Sequence, residues 1–165
     1  YARDLFLFSF YTRGMSFIDL AYLKKSDLQN GFLTYRRRKT NQQLTVKWEK
    51  CMAEIVAKYN DCSTTQYLLP IITNPLVDER KQYRNAIYRV NTALKEIARL
   101  ISLPMPLTMY CARHSWASIA KSKNIPLSVI SEGMGHDSEE TTRIYLASLD
   151  SYVIDQANSL ILKGL

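Results

Sequence analysis

Apolar side chains recur every three or four residues over most of the chain, the spacing that places them on one face of a helix. The first of these segments is rich in Phe and Leu and contains no helix breaker. This pattern predicts helices over residues 2–11, 16–23, 46–59, 79–101, 108–123 and 126–132, the last of which stops at Gly133. A further helix begins at Asp137 or Ser138, either of which is a suitable N-cap, and a final helix covers Asp150–Leu162.

A different period appears in the first third of the chain. Leu44, Val46 and Trp48 alternate with polar residues at period two, which is typical of a strand with one buried face. We predict a β-hairpin from the extended segments Phe32–Arg38 and Gln43–Trp48. The preceding residues 24–31 are polar and turn-like, and Gln66–Ile72 is predicted as a third strand after a loop over residues 60–65.

The predicted fold class is α+β and mostly α-helical, with a small antiparallel sheet of about three strands beside the helices. A chain of 165 residues can form one domain with a normal hydrophobic core. It opens inside an apolar segment and without a methionine, so we expect it to be a piece of a longer protein.

Charge and cysteine content narrow the function classes. The formal net charge of +7 and the pI near 9.3 favour a polyanionic partner, nucleic acid before membrane, although a modest basic excess also serves solubility. Charge alone does not decide between these two interpretations. Three scattered cysteines, Cys51, Cys62 and Cys111, are typical of a reducing cytoplasm and support neither a disulfide framework nor a zinc site. No apolar run approaches the roughly 20 residues of a membrane span.

Two short clusters carry the candidate chemistry. Met134-Gly135-His136 is followed nine residues later by Tyr145, and Arg113 lies upstream in Ala112-Arg113-His114-Ser115-Trp116. Metal-free attack on a phosphodiester needs a nucleophile, cations for the phosphate oxygens and an acid for the leaving oxygen. A tyrosine can be the nucleophile, but its pKa near 10 makes cationic neighbours necessary.

These clusters resemble the tyrosine recombinase (phage integrase) family, most nearly the mobile-element integrases of the Bacteroides type. In that family a Leu-Gly-His motif precedes a Thr-Thr-x-x-Tyr element, which Thr141-Thr142-Arg143-Ile144-Tyr145 reproduces. The resemblance implies that Tyr145 is the nucleophile, that Arg113 is the second catalytic arginine of a His-x-x-Arg-His motif, and that His136 bonds a phosphate oxygen or assists proton transfer. It also implies that Lys39, in the hairpin turn, is the general acid.

The chain departs from the family pattern at two positions. Tyr110 stands where the first histidine of His-x-x-Arg-His is usual, and Ser16 aligns with the first catalytic arginine of Thr-Gly-Leu-Arg-x-Ser-Glu-Leu. Either Arg37 or Arg13 is expected to replace that arginine. Arg37 shares a face of the hairpin with Lys39. We prefer Arg37, because Arg13 is expected in a loop outside the cleft.

Other charged side chains near these motifs have simpler interpretations. Alternation directs Arg36 and Arg38 to the opposite face of the hairpin, where they are candidates for contacts with the DNA backbone. The acidic residues that follow His136 are explained by helix capping and the helix dipole. We therefore predict no metal, and the reaction implied by the resemblance uses no cofactor.

The implied function is that of a site-specific recombinase or integrase of a mobile element, which cleaves and rejoins DNA strands through a 3′-phosphotyrosyl bond. Its partner would be double-stranded DNA, with possible accessory DNA-bending proteins, in the bacterial cytoplasm and nucleoid. An N-terminal core-binding domain is expected outside this chain. The tail helix of residues 149–165 either packs on its own domain or joins neighbours in a homotetramer. Two rival functions stay open: strand relaxation of the type IB topoisomerase kind, and noncatalytic DNA binding, which Ser16 and Tyr110 would explain.

Overall fold

The structure, a computed structural model, describes residues 1–59, 65–147, 159 and 162. The described elements run in the order α1 Ala2–Tyr11, α2 Phe17–Ala21, β1 Leu28–Gln29, β2 Phe32–Arg36, β3 Gln43–Lys47, α3 Lys50–Ala57, α4 Glu79–Leu100, α5 Met109–Ser122 and α6 Leu127–Met134. A further helix, α7, is described over residues 139–147. The predicted fold class is confirmed: the chain is mostly helical and carries one three-stranded antiparallel sheet.

The sheet has the order β1-β2-β3 and its register follows the apolar alternation. Leu33 pairs with Val46 and Tyr35 with Leu44, and all four side chains are buried against the core. The β2–β3 turn, residues 37–42, is closed by the backbone bonds Arg37 N–H to Gln42 O and Asn41 N–H to Arg37 O. The predicted hairpin is therefore confirmed, but β2 ends at Arg36 and β3 at Lys47, so Arg37, Arg38 and Lys39 lie in its turn.

The predicted third strand is wrong. Gln66–Ile72 is a buried irregular segment that contains Pro70 and forms a single bridge, between Tyr67 and Lys24. The third strand is instead β1, inside the stretch predicted to be only polar and turn-like. It pairs with β2 through a two-residue turn, Asn30-Gly31, in which both residues have positive φ, as a tight hairpin requires.

Helix boundaries follow the capping residues closely. Ser16 caps α2 by accepting the Asp19 N–H, and Asp78 caps α4 by accepting the Lys81 N–H at 2.7 Å. Of the two predicted caps for α7, Ser138 takes the role. The helix predicted over residues 46–59 is shorter, at Lys50–Ala57, because β3 extends to Lys47.

Helix α6 also differs from its prediction, which ended it at Gly133. The helix continues through Gly133 and ends at Gly135, whose φ of +62° is the left-handed conformation that closes helices. The predicted tail helix, Asp150–Leu162, and the loop over residues 60–64 lie outside the described residues. Within the described part of the chain, no helix combines the length and apolarity that crossing a membrane requires.

Two groups of buried side chains define where a cleft can form. The larger core includes Leu5 and Phe8 of α1 with the inner face of the sheet. A smaller cluster joins α5, α6 and α7 through Ala117, Ile130 and Leu146. Helix α5 begins in the first group and ends in the second, so its middle turn lies at the junction between them.

Candidate active site

A cleft of about 610 Å³ lies at this junction. Its lining comes from separate parts of the chain: the α1–α2 connection and the start of α2, the β2–β3 turn, α4, the start of α5, the α6–α7 connection and α7. The lining includes most of the residues that the sequence singles out for chemistry, namely Ser16, Arg37, Lys39, Tyr110, Arg113, His136 and Tyr145. The fold thus brings together side chains that are up to 129 positions apart in sequence.

Arg113 is held from three sides within the junction. Its Nη1 donates to Gly14 O at 2.9 Å, and its Nη2 donates to Met134 O at 2.8 Å and lies 2.9 Å from Nε2 of His136. Gly14 permits this packing, because a Cβ there would lie 2.7 Å from the Arg113 Cα, and its φ is +73°. A guanidinium has five N–H donors, so these contacts leave two for a ligand in the cleft.

Arg37 is buried in the same cleft at the start of the β2–β3 turn. Its Nη1 donates to Gly135 O, and its Nε lies 4.0 Å from Oδ2 of Asp19. Gly135 leaves the space that Arg37 occupies, because a Cβ there would lie 2.6 Å from the Arg37 Cδ. The two helix-ending carbonyls of α6, on Met134 and Gly135, therefore each hold one guanidinium.

Arg13, the other candidate for the missing arginine, has a different setting. It is half-buried with a φ of +62°, and its Cδ lies next to Gly133 in α6. Its side chain is absent from the lining of the cleft, to which Arg37 and Lys39 both contribute. The geometry thus places Arg37, and not Arg13, beside the other candidate residues.

The outer arginines of the hairpin face a second depression. Arg36 and Arg38 are exposed, and the Arg38 guanidinium lies 3.5 Å from the ring centre of Tyr22. Lys39 is exposed at the rim of the cleft. A continuous run of four basic residues therefore faces both the cleft and the adjoining surface.

His136 is neutral in this setting. Burial, followed by the charges of Arg113 and Arg37, lowers its pKa to about 4. Its Nδ1 lies 2.7 Å from the Thr142 hydroxyl, and its backbone N–H bonds to Ser131 O just beyond the end of α6. An uncharged imidazole beside Arg113 can accept a hydrogen bond or a proton from a neighbour.

Tyr145 lies half-buried among aromatic rings. The His114 ring stacks on it with 5.0 Å between ring centres, and Tyr110 and His136 approach edge-on at 6.4 and 5.7 Å. Burial, followed by the neighbouring Tyr110, raises the pKa of the Tyr145 phenol well above its ordinary value. Tyr145 is therefore a neutral phenol in this structure, and the nearby Arg113 guanidinium partly opposes the rise of its pKa.

The charge balance of the cleft suits an anion. Its lining carries two buried guanidiniums, on Arg37 and Arg113, and the exposed Lys39, against one exposed carboxylate, on Asp137. The buried carboxylate of Asp19 lies behind Arg37, outside the lining. Burial and the charge of Arg37 lower the pKa of Arg113, which is the signature of like charges held together. Among the described residues, no group of three or more His, Cys, Asp or Glu side chains is arranged to hold a metal.

Two contributors were not identified from the sequence. Asp19 is buried and accepts hydrogen bonds from the Ser16 hydroxyl at 2.6 Å and the Arg38 N–H at 2.9 Å. The sequence feature that could have identified Asp19 is its position as a carboxylate on the apolar face of α2, between Phe17 and Leu20. Thr142 is fully buried on α7, and its position within the Thr-Thr-x-x-Tyr element does not reveal its contact with His136.

A pH effect on stability follows from the state of His136. Between pH 6.5 and about 4 the unfolded chain binds a proton that the folded His136 does not, so the free energy of unfolding should fall as the pH falls through this range. The ring is half-exposed, so we expect a contribution of only about 1 kcal/mol. Urea unfolding at pH 7, 6 and 5 measures it, with the variant His136→Gln as the reference. Identical pH dependences of the two proteins would contradict this assignment.

Comparison with known proteins identifies the protein family of this chain. Residues 2–151 match the phage integrase family, and the chain belongs to that family. A probable integrase/recombinase protein of Methanocaldococcus jannaschii is 28% identical over 137 residues, which cover 79% of this chain and 40% of that protein. The predicted membership of the tyrosine recombinase (phage integrase) family is thereby confirmed.

Solved structures show the same fold at lower sequence identity. The XerH site-specific recombinase, in a post-cleavage complex with its palindromic difH substrate, aligns with a TM-score of 0.64 at 19% identity over 96% of this chain and 45% of that chain. A lambda integrase dimer bound to a COC′ core site aligns with a TM-score of 0.60 at 17% identity, over 87% and 51%. The chain thus spans about half the length of these relatives or less.

Proposed function

We propose that the protein containing this chain is a site-specific DNA recombinase or integrase that cleaves and rejoins DNA strands through a 3′-phosphotyrosyl intermediate. Family membership and the anion-suited cleft both support this proposal. The single observation that carries it is the arrangement of Arg37, Arg113, His136 and Tyr145 around one cleft, with Lys39 at its rim. We further propose that the Tyr110 phenol, which stands in place of the usual histidine, donates a hydrogen bond to the phosphate as a neutral group.

In the proposed chemistry each phosphodiester bond that breaks is replaced by another, so no external energy source is needed. The Tyr145 oxygen forms a bond to phosphorus, the bond from phosphorus to the 5′ oxygen breaks, and Lys39 gives that oxygen a proton. We propose that the phenol proton passes to Nε2 of His136 once the bound phosphate draws the Arg113 N–H away from that nitrogen. Arg113 and Arg37 bind the non-bridging oxygens, where negative charge grows during attack. The 5′ hydroxyl of a partner strand then reverses these steps.

The proposed partner is double-stranded DNA. This is supported by the net charge of +7 and by the DNA-bound complexes of XerH and lambda integrase. We propose that Arg36 and Arg38 contact the DNA backbone beside the cleft.

The proposed assembly is a homotetramer joined through residues 149–165, with accessory DNA-bending proteins as further candidate partners. Deleting residues 149–165 should then abolish assembly on DNA while leaving the protein monomeric and folded.

Exchange between two marked duplexes tests the proposed function. The full-length protein is incubated in EDTA, without nucleotide, with two duplexes of different length that carry its recognition sequence. Strands joined across the two duplexes are the expected product. Relaxation of supercoiled DNA with every strand rejoined to its own partner would instead indicate an enzyme of the type IB topoisomerase kind.

A further inference from the structure

The second threonine of α7 contacts the active-site histidine. Thr142 has no exposed surface, and its hydroxyl lies 2.7 Å from Nδ1 of His136. Tyr145 follows three residues later, about one turn along the same helix. The contact therefore joins the helix of the proposed nucleophile to the histidine that precedes it.

The contacts of His136 determine which ring nitrogen carries the proton. A guanidinium can only donate, and Nη2 of Arg113 lies 2.9 Å from Nε2 of His136. Nε2 must then accept and carry no proton. Since the ring is neutral, its proton is on Nδ1, and the Thr142 hydroxyl accepts it.

We propose that Thr142 is a positioning residue for strand cleavage, because its hydroxyl holds His136 in the Nδ1–H form with the Nε2 lone pair facing Arg113. Thr142 acts through His136 and does not itself touch DNA. Helix α7 thus carries both Tyr145, which lines the cleft, and the acceptor that sets the histidine. This inference rests on the function proposed above.

Removing the Thr142 hydroxyl should cost His136 a hydrogen bond at one of its two ring nitrogens. In Thr142→Val the shape and burial of the side chain are kept, but the Nδ1–H loses its acceptor. The other tautomer would direct an Nε2–H at the N–H donors of Arg113. Each state lacks one hydrogen bond, so the orientation of His136 and Arg113 is no longer held. Thr142→Ser keeps the hydroxyl and serves as the conservative variant.

Nitrogen-15 NMR of the labelled 165-residue chain reads the tautomer without any reaction. The chain has two histidines, so the spectrum distinguishes His136 from His114 with one His114→Gln control. We expect a protonated Nδ1 and a bare Nε2 on His136 at pH 7 in the wild type and in Thr142→Ser, and loss of this pattern in Thr142→Val. A wild-type ring protonated on Nε2, or an unchanged Nδ1–H form in Thr142→Val, would overturn the proposal.

Single-turnover cleavage by the full-length protein tests the consequence for the reaction. On a nicked suicide duplex, Thr142→Val should form covalent adduct about tenfold more slowly, with DNA affinity unchanged, and Thr142→Ser should stay within about threefold. The matched control Thr92→Val removes an exposed hydroxyl that bonds Tyr88 O in α4, and it should react as wild type. A wild-type rate in Thr142→Val contradicts only the role of Thr142, whereas no adduct from the wild type contradicts the proposed function itself.

Discussion

Replacement of Arg37 by alanine is expected to slow DNA strand cleavage by about 10²- to 10³-fold, the usual effect of removing one donor that stabilises charge in a transition state. Arg37 is buried in the cleft beside the other candidate residues, anchored by Gly135 O and close to Asp19. Arg13→Ala should stay within a few-fold of wild type, because Arg13 lies against Gly133 and outside the lining of the cleft. Rates of adduct formation on a nicked duplex make the comparison.

A rescue experiment separates chemistry from stability. Arg37→Ala leaves the buried Asp19 without its nearest cation, so thermal unfolding must be followed alongside the rate. Ser16 lines the same cleft and aligns with the usual position of the family's first catalytic arginine. The double variant Ser16→Arg with Arg37→Ala therefore restores a guanidinium to the cleft from that position. We expect this double variant to regain at least about tenfold in rate despite loss of the Ser16 cap, which costs about 1 kcal/mol. If Arg13→Ala abolishes cleavage while Arg37→Ala does not, Arg13 is the replacing arginine.

Arg113→Lys should be as damaging as removal of the charge altogether, with cleavage lowered by about 10²- to 10³-fold. Lysine keeps the positive charge, but its single ammonium cannot bond Gly14 O and Met134 O while also presenting two donors to a phosphate. The loss therefore tests geometry and not charge. The measurement is the single-turnover rate with saturating DNA, together with the DNA dissociation constant.

Stability provides the control for Arg113. The carbonyls of Gly14 and Met134 lose donors in the lysine variant, so a lower melting temperature is expected with the folded state still populated at 25 °C. Arg99→Lys is a matched substitution at an exposed arginine of α4 and should change neither property. A lysine variant that cleaves within threefold of wild type would mean that Arg113 contributes only its charge.

Sequence periodicity predicted most helices because their ends coincide with capping residues. Thr108 and Lys123, the predicted ends of one helix, are the two residues that flank α5. The third strand was misplaced for a physical reason: Gln66–Ile72 is apolar because it is buried, and an apolar run of this length does not distinguish a strand from buried irregular chain. The Asn30-Gly31 turn was the available signal for β1.

The site was predictable where it rests on motif spacing and less so where it rests on tertiary contact. The motifs supplied Arg113, His136 and Tyr145, which the structure places in one cleft. Arg37 was preferred to Arg13 because Arg13 was expected in a loop outside the cleft, and the position of both side chains agrees with that preference. Contacts such as Asp19 to Ser16, or Thr142 to His136, depend on how the elements pack, so periodicity cannot supply them. Catalytic roles for all these residues stay predictions until variants are measured.

Covalent trapping on DNA tests the central claim most directly. The full-length protein and its Tyr145→Phe variant are incubated in EDTA with a nicked suicide duplex from the recognition sequence, and the products are denatured and separated. The account predicts a protein–DNA adduct that survives denaturation for the wild type and none for Tyr145→Phe, with peptide mapping that places the DNA on Tyr145. A wild-type protein that binds the duplex but forms no adduct would contradict the account and indicate a domain that holds DNA without cutting it.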